Sequence, residues 1–453
     1  MSHPIMSYPK LPELPQQFLT KLHDAGYEAY AVGGCIRDLL MDRNTHDWDF
    51  TTNATPLEIQ KLFSDSFYNN EFGTVGVPVL IQDHEEIYEI TTYRTEEGYS
   101  DRRRPDIVSW GKTVAEDLAR RDFTVNAIAY DGKKIVDPYD GQKDIKNKLI
   151  RAVGDPETRF EEDALRLMRA IRIATQLRFT IEPFTAESIR DNARLIHHIA
   201  SERIRDELFK ILKSEYAADG ILLLKNHNLL YEIIPEFEKA FATEQKSPER
   251  HHIYDVGTHL IESLRNCQST DVITRFATLL HDIGKPETYE KNDRGVITFY
   301  NHEINSTTIA HDIAKRLKLS KKDAGKLVRL VRWHQFTVDE RQTDKAHRRF
   351  VRRVGKEYID DMLDLRVADR LGGGARETSW RLELFKKRIE EVQQQPFAIT
   401  DLKINGTDVM KELNLKPGPE VGKILKQLFK DVEEKRIENE REALLNSLKR
   451  FKH

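Results

Sequence analysis

Near residue 150 the sequence changes its hydrophobic period, and one class of secondary structure cannot serve both sides of that point. Before it, short apolar pieces such as YEAYAVGG, HDWDFTT, VPVLI, IYEITTY and FTVNAIAYD are separated by Gly, Asp and Pro signals, the pattern of strands and turns. After it, apolar residues recur at three- and four-residue intervals in EDALRLMRAIRIATQL, ERIRDELFKILKSEY, YDVGTHLIESLRNC and GKILKQLFKDVEEKRIENEREALLNSLKRF. The expected fold class is α+β: a mixed-sheet domain over residues 1–150, then an all-α remainder. Turn-rich or polar stretches near EQKSPERHH (244–252), RLGGGARETS (370–379) and QQQPFAITD (393–401) mark the internal boundaries. They divide the helical part into 151–245, 246–375 and 376–453, and 453 residues suffice for several compact domains.

Charge says little about partners, because 72 basic and 75 acidic residues leave a net charge of -3. Any nucleic-acid surface must therefore be a local patch. Cys35 and Cys267 cannot make a disulfide framework and sit in no metal-binding spacing, which fits a reducing compartment. The N-terminus lacks a basic start followed by an apolar core, and no run reaches the ~18–20 apolar residues of a membrane span. The expectation is a soluble, cytoplasmic protein.

The first chemical signal is AVGGCIRDLL (31–40), a strand leading through a Gly pair into a helix start, followed by Asp47 and Asp49 in THDWDFTTNA. A Gly pair lets backbone N–H groups approach a phosphate, and Arg37 can clamp its oxygens. On a strand Asp47 and Asp49 point to the same side, because the side-chain period is two. Converging there, they can bind two Mg²⁺ ions, one activating an attacking hydroxyl and the other holding a triphosphate leaving group. An isolated Asp-X-Asp is commonly the wet face of a sheet. Joined to GG and RD at this spacing, it points to nucleotidyl transfer.

The ordered run GGCIRD, DWDFTTNATP, EITTYR (89–94), YSDRRRPD (99–106), DLARRDFTVNAIAYD (117–131), DPYDG (137–141) and RFEEDALRLMRAIR (159–172) resembles the bacterial class II CCA-adding tRNA nucleotidyltransferases and their poly(A) polymerase relatives. The likeness is close over about residues 25–215, and INGTDVMKELNLKPGPEVGKIL (404–425) looks like the family's tail. It implies a polymerase-β-like head with a small mixed sheet, then helical neck, body and tail. The implied substrates are CTP and ATP, with the 3′ end of tRNA as acceptor. By motif matching, Asp47 and Asp49 would be catalytic and hold Mg²⁺; Gly34, Arg37, Arg121, Asp163, Arg166, Arg169 and Arg172 would contact the nucleotide.

Asp163 offers only acceptors and Arg166 only donors, and at a spacing of three they are neighbours on a helix surface. Cytosine and adenine each present an amino donor beside a ring-nitrogen acceptor, so this pair can satisfy both bases. Uracil and guanine would set acceptor against acceptor and donor against donor. Three steps of three drift by about 60° each, which places Arg172 roughly opposite Asp163, in another role such as contacting phosphate. The competing reading is an intrahelical ladder of salt bridges on a solvated face.

EEGYSDRRRPD (96–106) carries three consecutive arginines between strand-like flanks. Read by itself it is a charged turn. The resemblance implies the flexible loop that complete CCA-adding enzymes retain and CC-adding relatives have shortened, with Arg104 and Asp106 as candidates for ordering it.

A second constellation runs through HHIYDVGTHL, FATLLHDIGKP, FYNHE, LVRWHQ and LRVADR. His281 and Asp282 are adjacent in what reads as an apolar helix, and nitrogen and oxygen donors of this kind suit divalent metals. The order resembles the HD superfamily of metal-dependent phosphohydrolases, with His259, His281, Asp282 and Asp369 on its signature and His302 and His334 as candidates for a second metal. The ion there would be Mg, Mn or Ni. AHRRFVRRVGKEY (346–358) and the Lys/Arg-rich C-terminal helix are candidate tRNA-phosphate contacts. The leading expectation is untemplated CCA addition with an additional HD phosphohydrolase site. Poly(A) polymerase, CC- or A-addition share the head motifs, while a protein that is mainly an HD phosphohydrolase would not need them intact.

Overall fold

A computed structural model of the chain describes residues 10–45, 47–68, 73–81, 84–98, 107–245, 254–375, 379–393, 399–434 and 436–451. Two compact units are present, Met1–Glu238 with Arg316–Leu319, and Lys239–Lys315 with Ser320–His453. No helix among the described residues is long and apolar enough to cross a membrane.

The strands of the first unit are β1 (Ala29–Val32), β2 (Asp49–Thr52), β3 (Phe67–Tyr68), β4 (Thr74–Ile81), β5 (His84–Thr92), β6 (Arg94–Glu97), β7 (Ile107–Trp110), β8 (Ala129–Tyr130) and β9 (Ile135–Val136). Seven of them form one sheet in the order β3-β4-β5-β2-β1-β8-β9, and β6 pairs with β7 apart from it. The β2–β5 pair is parallel and its neighbours are antiparallel, so the sheet is mixed. One face is held by an aromatic cluster: the Phe18 ring lies 5.4 Å from Phe50, 4.9 Å from Phe63 and 5.2 Å from Tyr88. Phe18, Leu19 and Leu22 share one face of the helix Glu13–Asp24 at intervals of one, three and four, and all are buried. Strand alternation then decides the opposite face. With Phe50 in the core, Asp49 is turned the other way, level with its register partner Glu89.

FTVNAIAYD reads as one strand, yet only Ala129–Tyr130 is strand and Thr124–Asn126 is a 3₁₀ turn. The cause is local competition for hydrogen bonds. Asp122 Oδ1 accepts from the Phe123 N–H at 2.8 Å and from Asn126 Nδ2 at 3.2 Å, which bends the backbone away from the ladder.

The EDALR segment is not one helix. Pro156–Glu162 ends at Asp163, whose backbone is extended (φ -139°, ψ 102°), and a new helix runs Leu165–Leu177. Asp163 Oδ1 accepts from the Leu165 N–H at 3.0 Å, so the aspartate makes a local turn that ends the first helix and leads into the second, whose N-cap is Ala164. The surface neighbourhood of Asp163 and Arg166 on a single helix is therefore corrected. Three further helices of this region, Pro183–Asp191, Ser201–Lys213 and Ala217–Asn226, bury apolar faces as their periodicity requires.

In the second unit, helices Val256–Arg265, Val272–Leu280, His302–Arg316, Lys321–Trp333 and Ile359–Gly372 carry the His and Asp motifs. His281 is the C-cap of Val272–Leu280 and Asp282 lies in the turn beyond, where a continuous apolar helix was expected. Gly284 admits this turn: a Cβ there would stand 2.3 Å from the Ser306 backbone nitrogen. The C-terminal segment also departs from a single helix. It divides into Pro419–Glu433 and Arg441–Leu448, because buried Asp431 receives both Arg436 and Arg450 and folds the end of the chain back. Leu444 and Leu448 thereby join Val421, Leu428 and Val432 in one apolar cluster.

Candidate active site

Asp49 begins β2, whereas Asp47 precedes the strand and is exposed; Trp48 between them is 2% exposed and anchors the segment in the core. The Glu89 N–H donates to the Trp48 carbonyl at 3.3 Å, so pairing to β5 starts one residue before β2. Burial pushes the Asp49 carboxyl up to about 7; the Arg121 charge opposes this, while Asp47 and Glu89 add to it. Burial and the Asp47 charge raise the Glu89 carboxyl as well. Asp49 and Glu89, paired across β2 and β5, are hard oxygen donors of the kind that suits a divalent cation.

The turn above them is built on glycine. Gly33 has φ +89°, and a Cβ on it would lie 3.0 Å from Arg121 Nη1 and 3.8 Å from Asp49 Oδ2. The backbone can pass between the guanidinium and the carboxylate only without a side chain. The next residue, Gly34, opens the helix Gly34–Leu40, which carries Arg37. A Cβ on Gly34 would meet Arg37 Nη2 at 3.5 Å. Gly34, Arg37, Asp49 and Arg121 are thus gathered around one turn.

A polar chain ties this turn to the helix Leu165–Leu177. Arg37 Nη1 donates to Asn126 Oδ1 at 2.7 Å, Asn126 Nδ2 donates to Asp122 Oδ1, and Arg169 donates Nε–H and Nη2–H to Asp122 Oδ2 at 2.8 and 2.5 Å. Burial works against the Asp122 charge, but Arg169, assisted by Arg166 and Asn126, holds the carboxyl down at about 2. Arg121 is oriented by buried Asp117, 3.1 Å away. Arg172 donates Nε–H to buried Glu207 at 2.7 Å.

Asp163 and Arg166 face different partners. Asp163 Oδ2 accepts from Arg203 Nη2 at 3.2 Å; Arg166 donates to Glu162 at 2.5 Å, to the Arg159 carbonyl at 3.0 Å and to the Arg120 carbonyl at 3.1 Å. Their side chains are tethered to separate partners beside the same helix start. Glu89, Gly33, Asn126 and Asp122 belong to this site and escape a reading of motifs alone. Asn126 and Asp122 stand in the RRDFTVN run, and alternation marks Glu89 as facing away from Ile90, but only the parallel β2–β5 register puts Glu89 beside Asp49.

The second constellation is brought together in full. His259, His281, Asp282 and Asp369 form one potential metal-binding group, and Asp282, His302 and His334 another. Asp282 serves both: Oδ2 is 3.4 Å from His259 Nε2 and 3.3 Å from His281 Nε2, and Oδ1 is 3.0 Å from His302 Nε2 and 3.3 Å from His334 Nε2. His281, His302 and His334 each donate Nδ1–H to the carbonyl three residues earlier, at 2.7–2.8 Å. That bond fixes each ring and turns Nε2 inward. Burial lowers the His334 pKa, and its Nε2 lies 3.4 Å from His302 Nε2. Burial opposes charge on His281, but Asp282 and Asp369 push it up to about 10, and Lys285 adds a cation 2.5 Å from Asp282. Protons thus supply the positive charge that a divalent ion would supply on displacing them.

Two candidate RNA contacts are changed by the structure. Arg348, in AHRRFVRRVGKEY, is 1% exposed and donates to the Glu433 carbonyl, while Arg349, Arg352 and Arg353 face outward. Arg436 and Arg450 near the C-terminus are held by Asp431. The arginine run 102–104, with Asp106, lies outside the described residues.

Three family models match the chain: the poly A polymerase head domain over 29–151, the RNA and SrmB-binding site of polymerase A over 178–241, and tRNA nucleotidyltransferase domain 2 over 291–448. The CCA-adding enzyme of Ligilactobacillus salivarius is 34% identical over 435 residues, covering 96% of this chain and 95% of that protein. That of Limosilactobacillus fermentum is 34% identical over 447 residues, covering 97% and 98%. Among solved structures, the Bacillus stearothermophilus CCA-adding enzyme in complex with CTP aligns with a TM-score of 0.69 at 27% identity, over 96% of both chains. The Thermotoga maritima enzyme complexed with tRNA shares the fold, with a TM-score of 0.59 at 18% identity over 98% of this chain and 96% of that one.

Proposed function

The chain belongs to the family of CCA-adding enzymes, which are tRNA nucleotidyltransferases, and on that premise we propose how its own residues carry out the addition of C and A to the 3′ end of tRNA in the cytoplasm. The observation that supports the proposal is the Gly33 turn passing between Asp49 and Arg121, with Glu89 in register with Asp49 and the charges of Asp47 and Glu89 acting on the Asp49 carboxyl. In the reaction the 3′ hydroxyl oxygen of the RNA forms a bond to the α-phosphorus of CTP or ATP, the bond to the β-phosphate oxygen breaks, and pyrophosphate leaves. Mg²⁺ bound to the carboxylates supplies acidification of the attacking hydroxyl and neutralisation of the leaving group. Asp47 and Asp49 hold the ions, with Glu89 as a third carboxylate.

Arg37 and Arg121 bind the triphosphate, and the close backbone approach at Gly33 and Gly34 leaves room for it. Asn126 and Asp122 keep Arg37 and Arg169 in register. Asp163 and Arg166 read the base edge: a carboxylate accepts more than the two bonds Asp163 now receives, and release of Arg166 from Glu162 frees its donors. Arg169 and Arg172 position this helix through Asp122 and Glu207. The division of labour assigns catalysis to 1–150, base selection to 151–245, metal binding to 246–375 and tRNA contact to 376–453. Purified protein, incubated with tRNA lacking its last three nucleotides, is expected to add CCA from CTP and ATP together. Long tails from ATP alone, or arrest after two residues with both nucleotides, would overturn it.

A second reading concerns the His and Asp centre, where inward-facing Nε2 atoms on both sides of Asp282 favour a pair of divalent ions. Borderline nitrogen with carboxylate oxygen suits Mn or Ni as well as Mg. We infer an HD-type phosphohydrolase centre, held by His259, His281, Asp282 and Asp369 on one side and by Asp282, His302 and His334 on the other. Bound ions would supply an activated water and charge compensation for a phosphoester. Lys285 orients Asp282 and is itself held by Gln245, 2.6 Å away.

A further inference from the structure

Asp163 lies between the helices Pro156–Glu162 and Leu165–Leu177 with extended backbone, so neither helix fixes the direction of its side chain. Arg203, in the first turn of the helix Ser201–Lys213, donates Nη2–H to Asp163 Oδ2 at 3.2 Å. We propose that Arg203 is a positioning residue for base selection: it sets the plane of the Asp163 carboxylate, and through it the preference for bases that carry an amino group. This role rests on the reading of Asp163 as a base-reading residue and adds the group that orients it.

An aspartate carboxylate turns over a broad range about its Cβ–Cγ bond. The Leu165 N–H, 3.0 Å from Oδ1, holds one oxygen of Asp163, and Arg203 holds the other. With both oxygens engaged the plane is set, and each oxygen keeps a lone pair for a further donor. The amino group of cytosine or adenine is such a donor, whereas the carbonyl oxygen that uracil and guanine carry in its place would face an acceptor. A carboxylate free to turn away would lose that repulsion, and the discrimination with it.

The same helix holds the reading segment a second time. Glu207 follows Arg203 by four residues, which puts both on one face of Ser201–Lys213. Glu207 accepts from Arg172 Nε at 2.7 Å. One helix face therefore grips Asp163 just ahead of the helix Leu165–Leu177 and Arg172 within it.

Stability alone accounts poorly for the pair. The side chains of Arg203 and Asp163 are 28% and 18% exposed, and ion pairs open to water contribute little to stability. Arg203 Nη1 is buried and has no acceptor among the described residues, so the guanidinium stays on Asp163 while one of its own donors goes unpaired. Such a contact is a weak tie between helices and a sufficient guide for a carboxylate.

The test is single-nucleotide incorporation by the full-length protein, comparing kcat/KM for CTP against UTP on tRNA lacking its last three nucleotides, and for ATP against purine riboside triphosphate, which lacks the amino group, on tRNA lacking only the last. Arg203→Ala should shrink both ratios by roughly tenfold or more, as displacement of a reading group predicts. Arg203→Met, which keeps the apolar stem without donors, should do the same with melting little changed, and Arg203→Lys, which keeps a donor and the charge, should restore most of the loss. A merely structural role would slow both members of each pair alike and leave the ratios standing. Asp163→Ala should lower the ratios as far, with no further loss when Arg203→Ala is added. Arg205→Ala, on the same helix but bonded to Asp206 and the Lys318 carbonyl, should leave them unchanged. Wild-type ratios in Arg203→Ala and Arg203→Met, with Asp163→Ala defective, would overturn the positioning role and leave Asp163 as the reader. Wild-type ratios in Asp163→Ala would overturn both, and a further loss in the double variant would show Arg203 acting apart from Asp163 and overturn the role as well.

Discussion

Arg169 places Nε and Nη2 on a single oxygen of Asp122, at 2.8 and 2.5 Å, and so fastens the helix Leu165–Leu177 to the turn that follows the RRD run. The other oxygen of Asp122 receives Asn126, which in turn holds Arg37. Arg37 and Arg169, far apart in sequence, are therefore set by one buried carboxylate.

This carboxylate makes acid stability testable. Its folded pKa, about 2, is below the ordinary aspartate value of 3.8. The stabilisation is therefore complete above the unfolded pKa and disappears as pH falls towards the folded one. The pH-dependent part is about 2 kcal/mol. Urea unfolding of wild type and Asp122→Asn should differ by at least that amount at pH 7, with the gap narrowing between pH 4 and 2. A gap independent of pH would refute the coupling.

Asp47→Ala and Asp49→Ala should lower nucleotide addition by at least about a hundredfold, the scale seen when a charge-stabilising group is deleted from a site. Asp47 is exposed and Asp49 is only partly buried, so thermal melting should change little. Glu89→Gln should lower addition too. Wild-type rates in Glu89→Gln would exclude a role for the third carboxylate.

Gly33→Ala tests the turn. Alanine at φ +89° is strained by about 1–2 kcal/mol, and its Cβ would press on Arg121 Nη1 at 3.0 Å. A raised KM for CTP and ATP is expected together with a lower melting temperature. Gly26→Ala, at φ +90° but with nothing within 4 Å, serves as the control: it should cost stability without changing KM.

Base selection should depend on Asp163 and Arg166. Replacing Arg166 with Ala is expected to reduce discrimination of CTP and ATP against UTP and GTP by roughly tenfold or more, since one correctly placed bidentate contact is worth ~1–3 kcal/mol. Single-nucleotide incorporation with each NTP measures it; unchanged selectivity at reduced rate would make Arg166 structural.

The shared position of Asp282 predicts metal stoichiometry. Asp282→Ala should abolish uptake at both halves of the centre, whereas His334→Ala should lose one ion and keep the half built on His259, His281 and Asp369. His281→Ala and Asp282→Ala should also remove any Ni²⁺- or Mg²⁺-dependent phosphatase signal. Native mass spectrometry of metal-loaded protein counts the ions, and equal loading of all three variants would contradict the arrangement.

Much of this was legible in the residues. The change of hydrophobic period near residue 150 separates the sheet from the helical remainder, because burial on a strand and on a helix demands different spacings. Gly34, Arg37, Asp47 and Asp49 lie within one strand–helix–strand segment, so the nearness of the glycine turn to Asp49 follows from local geometry. The His and Asp series was legible too, as residue types in order.

What local pattern leaves undetermined is wherever a side chain bonds to something distant in sequence or to its own backbone. EDALRLMRAIRIATQL has unbroken helical periodicity, yet Asp163 bonds the Leu165 N–H in a local turn and breaks the helix; the C-terminal periodicity is likewise interrupted by a buried Asp431. Hydrophobic spacing carries no record of such polar competition. By itself the sequence determined the two architectures, the order of the glycine and aspartate motifs and the residue types of the His and Asp series. Only the tertiary structure decided that Glu89 joins Asp49, that Asp122 links Arg37 to Arg169, and that Asp282 faces histidines on both sides. Strand register and helix packing bring those groups together across tens of residues, and the energies that select them belong to the folded whole.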